Sequence, residues 1–566
     1  MPYNLMAEPW LPLRRRGGGV EWVEPWRLTD RGSGGDNPFV AVDAPRPDFS
    51  GALTEFLIGL VQTAWPPPDE NAWHQAWQKP PEPETLRRAF AQVAHAFDLD
   101  GPGPRFMQQT LPAKAERWAA HLLLIEQPED KKEKENKDHF IKRGQVQALC
   151  RPCLAAALHT LQTYAPVGGR GYQTSLRGGG PLTTLALGRD LWQTVWLAVQ
   201  PAGRFWAKKP RAPEPGRIFP WLGPSPQGDR ETRVTPAQAD PAQAFWGMPR
   251  RVWVDFAAGV ETGACSLCGR GPEPLVTGYF LRPNGIKYEG PWLHPLSPHS
   301  WKDGAPYAVK GHSGGQSYRH WFGLAVASGQ DDKRKADGAD KKIVARAQSI
   351  ALFDERRRGL AGLDDGPASR RLWAFGYDVE DKKARAWVDS RMPLVTVEPD
   401  QRSDYEAGVR ALVYTAEQAA RTLATSLKQA WFGDGASVKS NQDDQERLGQ
   451  LFWSQSEADF YTAVNRLKAL LEAGHNFYGG EDADDARMNA FKEDWLQSLQ
   501  DHALAIFDEY SQYDQVERAN PKRIILARKN LRFRVEPRAK KMRQVLDLPE
   551  LEKPAKQTKR GKGDKA

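Results

Sequence analysis

The sequence predicts an α+β fold, in which a large mixed α/β N-terminal domain precedes a C-terminal four-helix bundle. Three observations lead there. At 566 residues the chain is too long for one ordinary core. Its opening, "YNLMAEPWLPLRRRGGGVEWVEPWRL", has two short apolar-alternating runs around Gly17, Gly18 and Gly19, the pattern of a hairpin. From about residue 401, apolar residues recur at helical spacing in segment after segment, with no strand pattern between them.

Each element follows in order. After the opening strands, "DFSGALTEFLIGLVQTAW" spaces Leu53, Phe56, Leu57, Leu60 and Val61 as a helix, and Pro66, Pro67 and Pro68 stop it. Residues 72–96 are helical again, interrupted between Pro80 and Pro83. Residues 126–145, "EQPEDKKEKENKDHFIKRGQ", are dense in both charge signs and hold too little apolar area to order themselves, so they read as a loop. The proline-rich stretch 200–245 reads as extended connection, and 328–346 as a second charged loop. In the last third, Ser403 and Glu406 have capping-box spacing. Tyr405, Val409, Leu412, Ala416, Ala419, Leu423 and Leu427 then line one face up to Gly433. Two further stripes follow, the first through Phe460, Val464, Leu467 and Leu471 to Gly474, the second from Met488 to Phe507. A shorter helix starts near Pro521. Such stripes are core seams, and four in succession imply a bundle. The expected domains are 1–398, 399–545 and a basic, disordered tail 546–566.

Composition narrows the class. No stretch approaches the ~20 uncharged apolar residues of a membrane span. The N-terminus lacks the basic-then-apolar order of a secretory signal. A soluble, cytoplasmic protein with no membrane partner is expected. The net charge of +8 is mildly basic and makes an anionic partner such as nucleic acid a first hypothesis. The 21 tryptophans are assigned mainly to core packing.

The four cysteines are too few for a disulfide scaffold, yet all lie in C-x-x-C pairs: Cys150 and Cys153, then Cys265 and Cys268. Two pairs supply four thiolates, a set that suits tetrahedral Zn²⁺, and Gly263 and Gly269 flank the second pair as turn formers. Metal-free knuckles and a redox pair are the alternatives, although a redox motif needs one pair in a βαβ setting. With four protein ligands no coordination position stays open, so the metal would be a structural staple.

No phosphate-binding P-loop, zinc-protease motif or nucleophile elbow is present. "GGRGYQTSLRGGG" (168–180) matches no dinucleotide fingerprint. Its glycines, with Arg170 and Arg177, nevertheless form a backbone surface able to approach a phosphate chain, unless it is a plain connection. His294, His299, His312 and His320 lack spaced carboxylate partners and read as surface or core residues. No catalytic constellation emerges, so no enzyme activity is expected.

Four stretches in order, "ALCRPCLAAALHTLQTYAPVGGRGY", "SLRGGGPLTTLALGRDLWQTVWLAV", "GACSLCGRG" and "WLHPLSPHS", resemble the CasA family, the large subunit of the type I-E CRISPR surveillance complex Cascade. The resemblance spans nearly the full chain. It implies a non-catalytic subunit that reads the protospacer-adjacent motif in double-stranded DNA, largely from the minor groove. Such a subunit wedges the duplex open for CRISPR RNA pairing and helps recruit the helicase-nuclease. The implied partners are therefore target DNA, the CRISPR RNA-containing Cascade subunits and that nuclease, in antiviral defence.

Carried over by residue, the resemblance makes Cys150, Cys153, Cys265 and Cys268 a structural Zn²⁺ site. It makes Phe140 an aromatic of a DNA-engaging loop. The segment from Ala165 becomes a motif-contacting loop. Val167 stands where some members have glycine, so Gly168 or Gly169 serves instead. The stretch "FLRPNGIKY", taken as a hairpin, offers Arg282 or Lys287 as the basic minor-groove contact. The wedge falls in "GYDVEDKKARAW", at Asp381, Lys382 and Lys383, where some members have glutamine. The physics is compatible, since the minor groove offers a degenerate acceptor pattern that small loops and one basic residue can read. Two other readings are a zinc-stabilised nuclease, which would need clustered carboxylates for Mg²⁺, and an assembly scaffold without DNA contact.

Overall fold

The computed structural model describes residues 2–111, 115–127, 144–168, 171–209, 211–212, 214–224, 231–257, 262–302, 305–312, 314–327, 344–357, 360, 371–380, 383–432, 442–478, 485–511 and 520–551. It is a mixed α/β structure in two compact units, one formed by 1–316 with 323–395 and one by 317–322 with 396–566.

The first unit opens with the expected hairpin. Strands β1 (Leu11–Arg15) and β2 (Val20–Val23) pair antiparallel, and β3 (Phe39–Val42) joins on the other edge of β1. Helix α1 (Pro47–Ala64) follows and is buried from Asp48 to Thr63 apart from Ser50, on every face. Glycine makes this close packing possible. A Cβ on Gly51 would lie 2.8 Å from Phe375 and Trp387, and one on Gly59 2.8 Å from Phe245. Phe56 sits edge-on to Trp10, Phe97, Phe106 and Trp246, an aromatic core whose pairs each contribute about 1 kcal/mol beyond area burial. Helices α2 (Glu70–Gln78) and α3 (Pro83–Ala91) are separated by the expected proline break.

Short strands then alternate with helices: β4 (Glu116–Ala119), β5 (Leu149–Cys150), α4 (Arg151–Tyr164), β6 (Thr183–Ala186) and α5 (Leu191–Ala198). The stretch 200–245, expected to be extended, holds helical turns at Ala202–Phe205, Pro215–Ile218 and Pro241–Phe245 besides β7 (Thr232–Val234). Proline at a first helical position needs no N–H donor, so prolines start two of these turns. Strands β8 (Arg251–Val254), β9 (Thr262–Gly263), β10 (Glu273–Val276), β11 (Gly278–Arg282) and β12 (Ile286–Tyr288) come next. After them come β13 (His299–Lys302), β14 (Ala305–Ala308), β15 (Val344–Ala345), α6 (Gln348–Arg356), β16 (Arg371–Glu380) and β17 (Lys383–Pro393). The small sheets run β5-β10-β9, β4-β11-β8, β12-β7, β14-β13-β15 and β17-β16-β6.

The second unit is helical: α7 (Arg402–Phe432), α8 (Gln442–Gln455), α9 (Glu457–Glu472), α10 (Ala486–Tyr510), α11 (Pro521–Val535) and α12 (Lys540–Val545). Helix α7 touches all the others. The expected stripe from Tyr405 to Leu427 is buried, and Gly474 closes α9 with φ +87°. Helix α7 begins at Arg402, so Ser403 stands inside its first turn and not at the cap. The turn Tyr318–Trp321, remote in sequence, belongs to this unit. Tyr318 shares a 2.8 Å hydrogen bond with Ser456, the one residue between α8 and α9.

Candidate functional site

Residues 148–153 end a strand and begin a helix, which places Cys150 at the α4 N-cap and Cys153 in its first turn. Cys265 and Cys268 occupy the turn between β9 and β10. Register brings the two pairs together, because β10 pairs with β5 through Leu275 opposite Cys150. The Ser266 amide donates to the Ala148 carbonyl at 3.0 Å, and Gly269, at φ +71°, turns the chain so that its amide reaches the Cys265 carbonyl. Gly263, expected to be a turn glycine, lies in β9 opposite Glu273.

All four Sγ atoms lie within 4.8 Å of one another, three of the residues buried and Cys268 half-buried. The Cys150 and Cys268 sulfurs stand 3.6 Å apart, far beyond the ~2.05 Å of a disulfide. That distance matches the edge of a tetrahedron with ~2.3 Å metal–sulfur bonds, which is about 3.8 Å. Hydrogen bonding with Cys150 and Cys153 draws the Cys265 and Cys268 thiols below their ordinary range, while contact with Cys150, and then with Cys265 and Cys268, pushes Cys153 up. This tetrad could hold one metal ion.

From the tetrad, α4 runs 14 residues, about 21 Å, to Tyr164 and hands the chain to the glycine-rich segment. That segment folds back on itself. The Ser175 amide donates to the Ala165 carbonyl (3.1 Å) and the Gly178 amide to Ser175 (2.9 Å). Gly168 cannot carry a side chain, since a Cβ would lie 2.5 Å from that of Tyr172 and 2.8 Å from Arg250 Nη1. Gly171, at φ +86°, accepts from the Asn284 amide at 2.7 Å, with Pro283 2.7 Å from its own would-be Cβ. The connection 283–285 therefore lies against the glycine segment.

Arg282 and Lys287 flank this connection but do not form a hairpin. Arg282 ends β11 opposite Arg251 of β8, whereas Lys287 lies on β12, parallel to β7. Lys287 is ion-paired with Glu289 (2.8 Å) and, more distantly, Glu231 (3.9 Å), both of which also pair with Arg233. Gln173 of the glycine segment donates to the same Glu231 at 2.8 Å.

The far end of the segment meets the β16–β17 hairpin. A Cβ on Gly180 would overlap Val379 and lie 2.7 Å from the Tyr377 carbonyl, and Gly311 bridges to Asp378. Lys383 is exposed at the start of β17 opposite Glu380. The hairpin base is anchored: the Tyr377 hydroxyl donates to Asp48 (2.6 Å), and Arg46 pairs with Asp48 (3.0 Å) and Glu126 (2.5 Å). Burial and the Asp48 carboxylate push the Tyr377 phenol well above its usual value, which keeps it a donor.

Arg177 is not available to a phosphate chain. It is buried in an ion pair with Glu55 (2.7 Å) and donates to Thr183 (2.8 Å) and Ser297 (3.0 Å). Thr183 and Tyr164 also donate to Glu55, so a charged knot inside the core ties the segment to α1. His294 and His299 are buried core residues. Phe140, Gly169, Arg170, Asp381 and Lys382 lie outside the described residues. Sequence reasoning missed Arg250, Tyr172 and Glu55, whose roles depend on contacts 78 to 128 positions away and leave no local pattern.

Fold and site together define a mixed α/β protein with a helical second unit and a four-cysteine cluster, able to hold a metal, at the root of a glycine-rich segment. The family model for the CRISPR-associated protein Cse1 matches residues 4–506. The chain belongs to the Cse1 family. Solved structures share the fold. CasA of Thermus thermophilus matches with TM-score 0.65 at 18% identity, over 94% of this chain and 98% of that one. Thermobifida fusca Cse1 matches with TM-score 0.66 at 15% identity, over 96% and 98%. A chain of a CRISPR RNA-guided surveillance complex matches with TM-score 0.64 at 17% identity, over 94% and 99%.

Proposed function

We propose that this chain is the large, non-catalytic subunit of a type I-E Cascade complex in the cytoplasm. It recognises the protospacer-adjacent motif in double-stranded DNA, helps open the duplex for CRISPR RNA pairing and recruits the helicase-nuclease. The observation that carries this reading is the convergence, in a Cse1-family chain, of three separately expected segments: the glycine segment at Gly168, the 282–287 connection and the β16–β17 hairpin. In this reading residues 1–398 form the recognition domain and 399–545 a four-helix bundle, to which α8 and α12 are additional, while the tail expected from 546 starts later because Leu546 and Leu548 are buried. The metal is Zn²⁺, matched to four thiolates, and its role is structural because no ligand position is left open.

The chemistry suits shape reading. Val167, 37% exposed, and Gly168 present a small apolar tip with little bulk, which fits a narrow groove. Phe140, Gly169 and the wedge residues Asp381, Lys382 and Lys383 complete the proposed DNA-contacting set, with Arg282 or Lys287 as the basic contact. Lys287 would exchange its Glu289 carboxylate for a phosphate or base edge, at a cost that tempers its contribution.

The test is duplex binding by the reconstituted complex. Gly168→Asp adds bulk and a negative charge where no Cβ fits, and is expected to weaken binding of motif-bearing duplex at least tenfold, on the order of 1.4 kcal/mol. Lys382→Ala with Lys383→Ala is expected to slow strand opening. Unchanged binding in both variants would mean a scaffold without DNA contact. Nuclease activity of the purified chain alone would overturn the non-catalytic assignment.

A further inference from the structure

We propose that Arg250 is the positioning residue of the motif-reading tip, holding Val167 and Gly168 in place without touching DNA. The inference rests on the function proposed above. Arg250 is only 8% exposed. Its backbone is locked to α4 in both directions: its amide donates to the Gln162 side-chain oxygen (2.9 Å), and its carbonyl accepts from the Gln162 amide nitrogen (3.0 Å). Gln162 also donates to the Met107 carbonyl at 3.2 Å, which fixes its orientation. A rigid helix thus sets where the Arg250 side chain starts.

The guanidinium then reaches the tip. Nη2 donates to the Pro166 carbonyl at 2.5 Å, one residue before Val167. Cζ stands 5.6 Å from the centroid of the Tyr172 ring, and the Gly168 amide lies 3.4 Å from the Tyr172 carbonyl. Arg250 therefore closes the segment at both ends of a short loop, from the carbonyl of residue 166 to the ring of residue 172. A Cβ on Gly285 would overlap the neighbouring Pro249 carbonyl, so the same stretch also abuts the 283–285 connection. Arg250 grips the glycine segment through its side chain, while the Pro249 backbone beside it packs on Gly285 of the connection that already touches Gly171.

A guanidinium can hold a carbonyl and an aromatic face together because its donors and its flat face act in different directions. An ammonium on a lysine keeps the donor but loses the planar fork. Misplacing recognition groups by about 1 Å can cost a hundredfold, so the effect falls on discrimination and not on bulk attraction.

The experiment compares Arg250→Met and Arg250→Lys with wild type in the reconstituted complex. It measures dissociation constants for duplexes with and without the motif across a salt series. Arg250→Met is expected to lower the ratio of the two constants about tenfold, leaving the motif-independent affinity and its salt slope at wild-type values. Arg250→Lys is expected to recover part of the ratio through the Pro166 contact. Amide hydrogen exchange of 165–175 is expected to rise in Arg250→Met while that of α7 stays constant, which separates local loosening from unfolding. A wild-type ratio in Arg250→Met overturns the proposal for Arg250 alone. A salt slope reduced by one phosphate contact overturns it too, because Arg250 would then touch DNA directly. Absence of any motif discrimination in wild type overturns the proposed function itself.

Discussion

Individual side chains carry two kinds of precision here, and each is testable. The cysteine tetrad holds four sulfurs within 4.8 Å of one another, so under the proposed zinc reading each ligand depends on the other three. Cys265→Ser is expected to abolish stoichiometric Zn²⁺ by elemental analysis and to lower the thermal midpoint by roughly 10 °C, the scale of losing a structural metal site. An unchanged midpoint with metal gone would show that the knuckles hold themselves. The Glu55–Arg177 knot is the second case. Arg177→Met strands a buried carboxylate, with an expected loss of about 3–5 kcal/mol by denaturant unfolding. Replacing both partners with apolar residues should recover much of that, because the penalty comes from the unpaired charge. The cysteine pairs were legible in the sequence because the C-x-x-C spacing is local. Glu55 and Arg177 were not, since 122 residues separate them and Arg177 in a glycine-rich stretch looked like a phosphate contact.

Elements tell a similar story at larger spacing. The stripes of α7, α9 and α10 were readable because a 3.6-residue period survives without knowledge of what it packs against. Their pairing depends on details that period does not encode. Gly408 lets α7 approach α9 closely, with a would-be Cβ 2.8 Å from Leu467 and 2.9 Å from Phe477. Gly408→Val is expected to destabilise the helical unit by about 1–3 kcal/mol, read as a shift in its urea midpoint. A midpoint equal to wild type would mean that the helices part without cost. The strand elements were harder. "FLRPNGIKY" carries the turn signal of a hairpin, with Asn284 at φ +61°, yet its two strands pair with different partners, β8 and β4 for one and β7 for the other. Local turn chemistry was right, and the partner was a tertiary choice.

For the whole molecule, charge and protonation set the working range. His159 is wholly buried among Phe56, Phe106 and Trp246, and burial lowers its pKa to about 3. Burial lowers that of His299 to about 4, with the Arg177 charge adding to the effect. Both stay neutral when folded, whereas in the unfolded chain they take up a proton near pH 6.5. The stability they preserve is therefore complete above about pH 6.5 and drains away as pH falls towards 4. Urea midpoints should drop between pH 7.5 and pH 5, and His159→Phe should reduce that drop. An equal drop in the variant would assign the acid sensitivity elsewhere. Among the described residues no helix is long and apolar enough to cross a membrane.

Sequence by itself determined the four-cysteine set, the first helix, the glycine segment and the helical last third, because each is written in spacings of a few residues that local geometry enforces. Tertiary structure alone decided that the two cysteine pairs come together, that Arg177 faces inward, that Lys287 is already paired, and that Arg250 grips the Pro166 carbonyl. Those outcomes rest on close approach between residues distant in the chain, where sterics and desolvation act and sequence period carries no record.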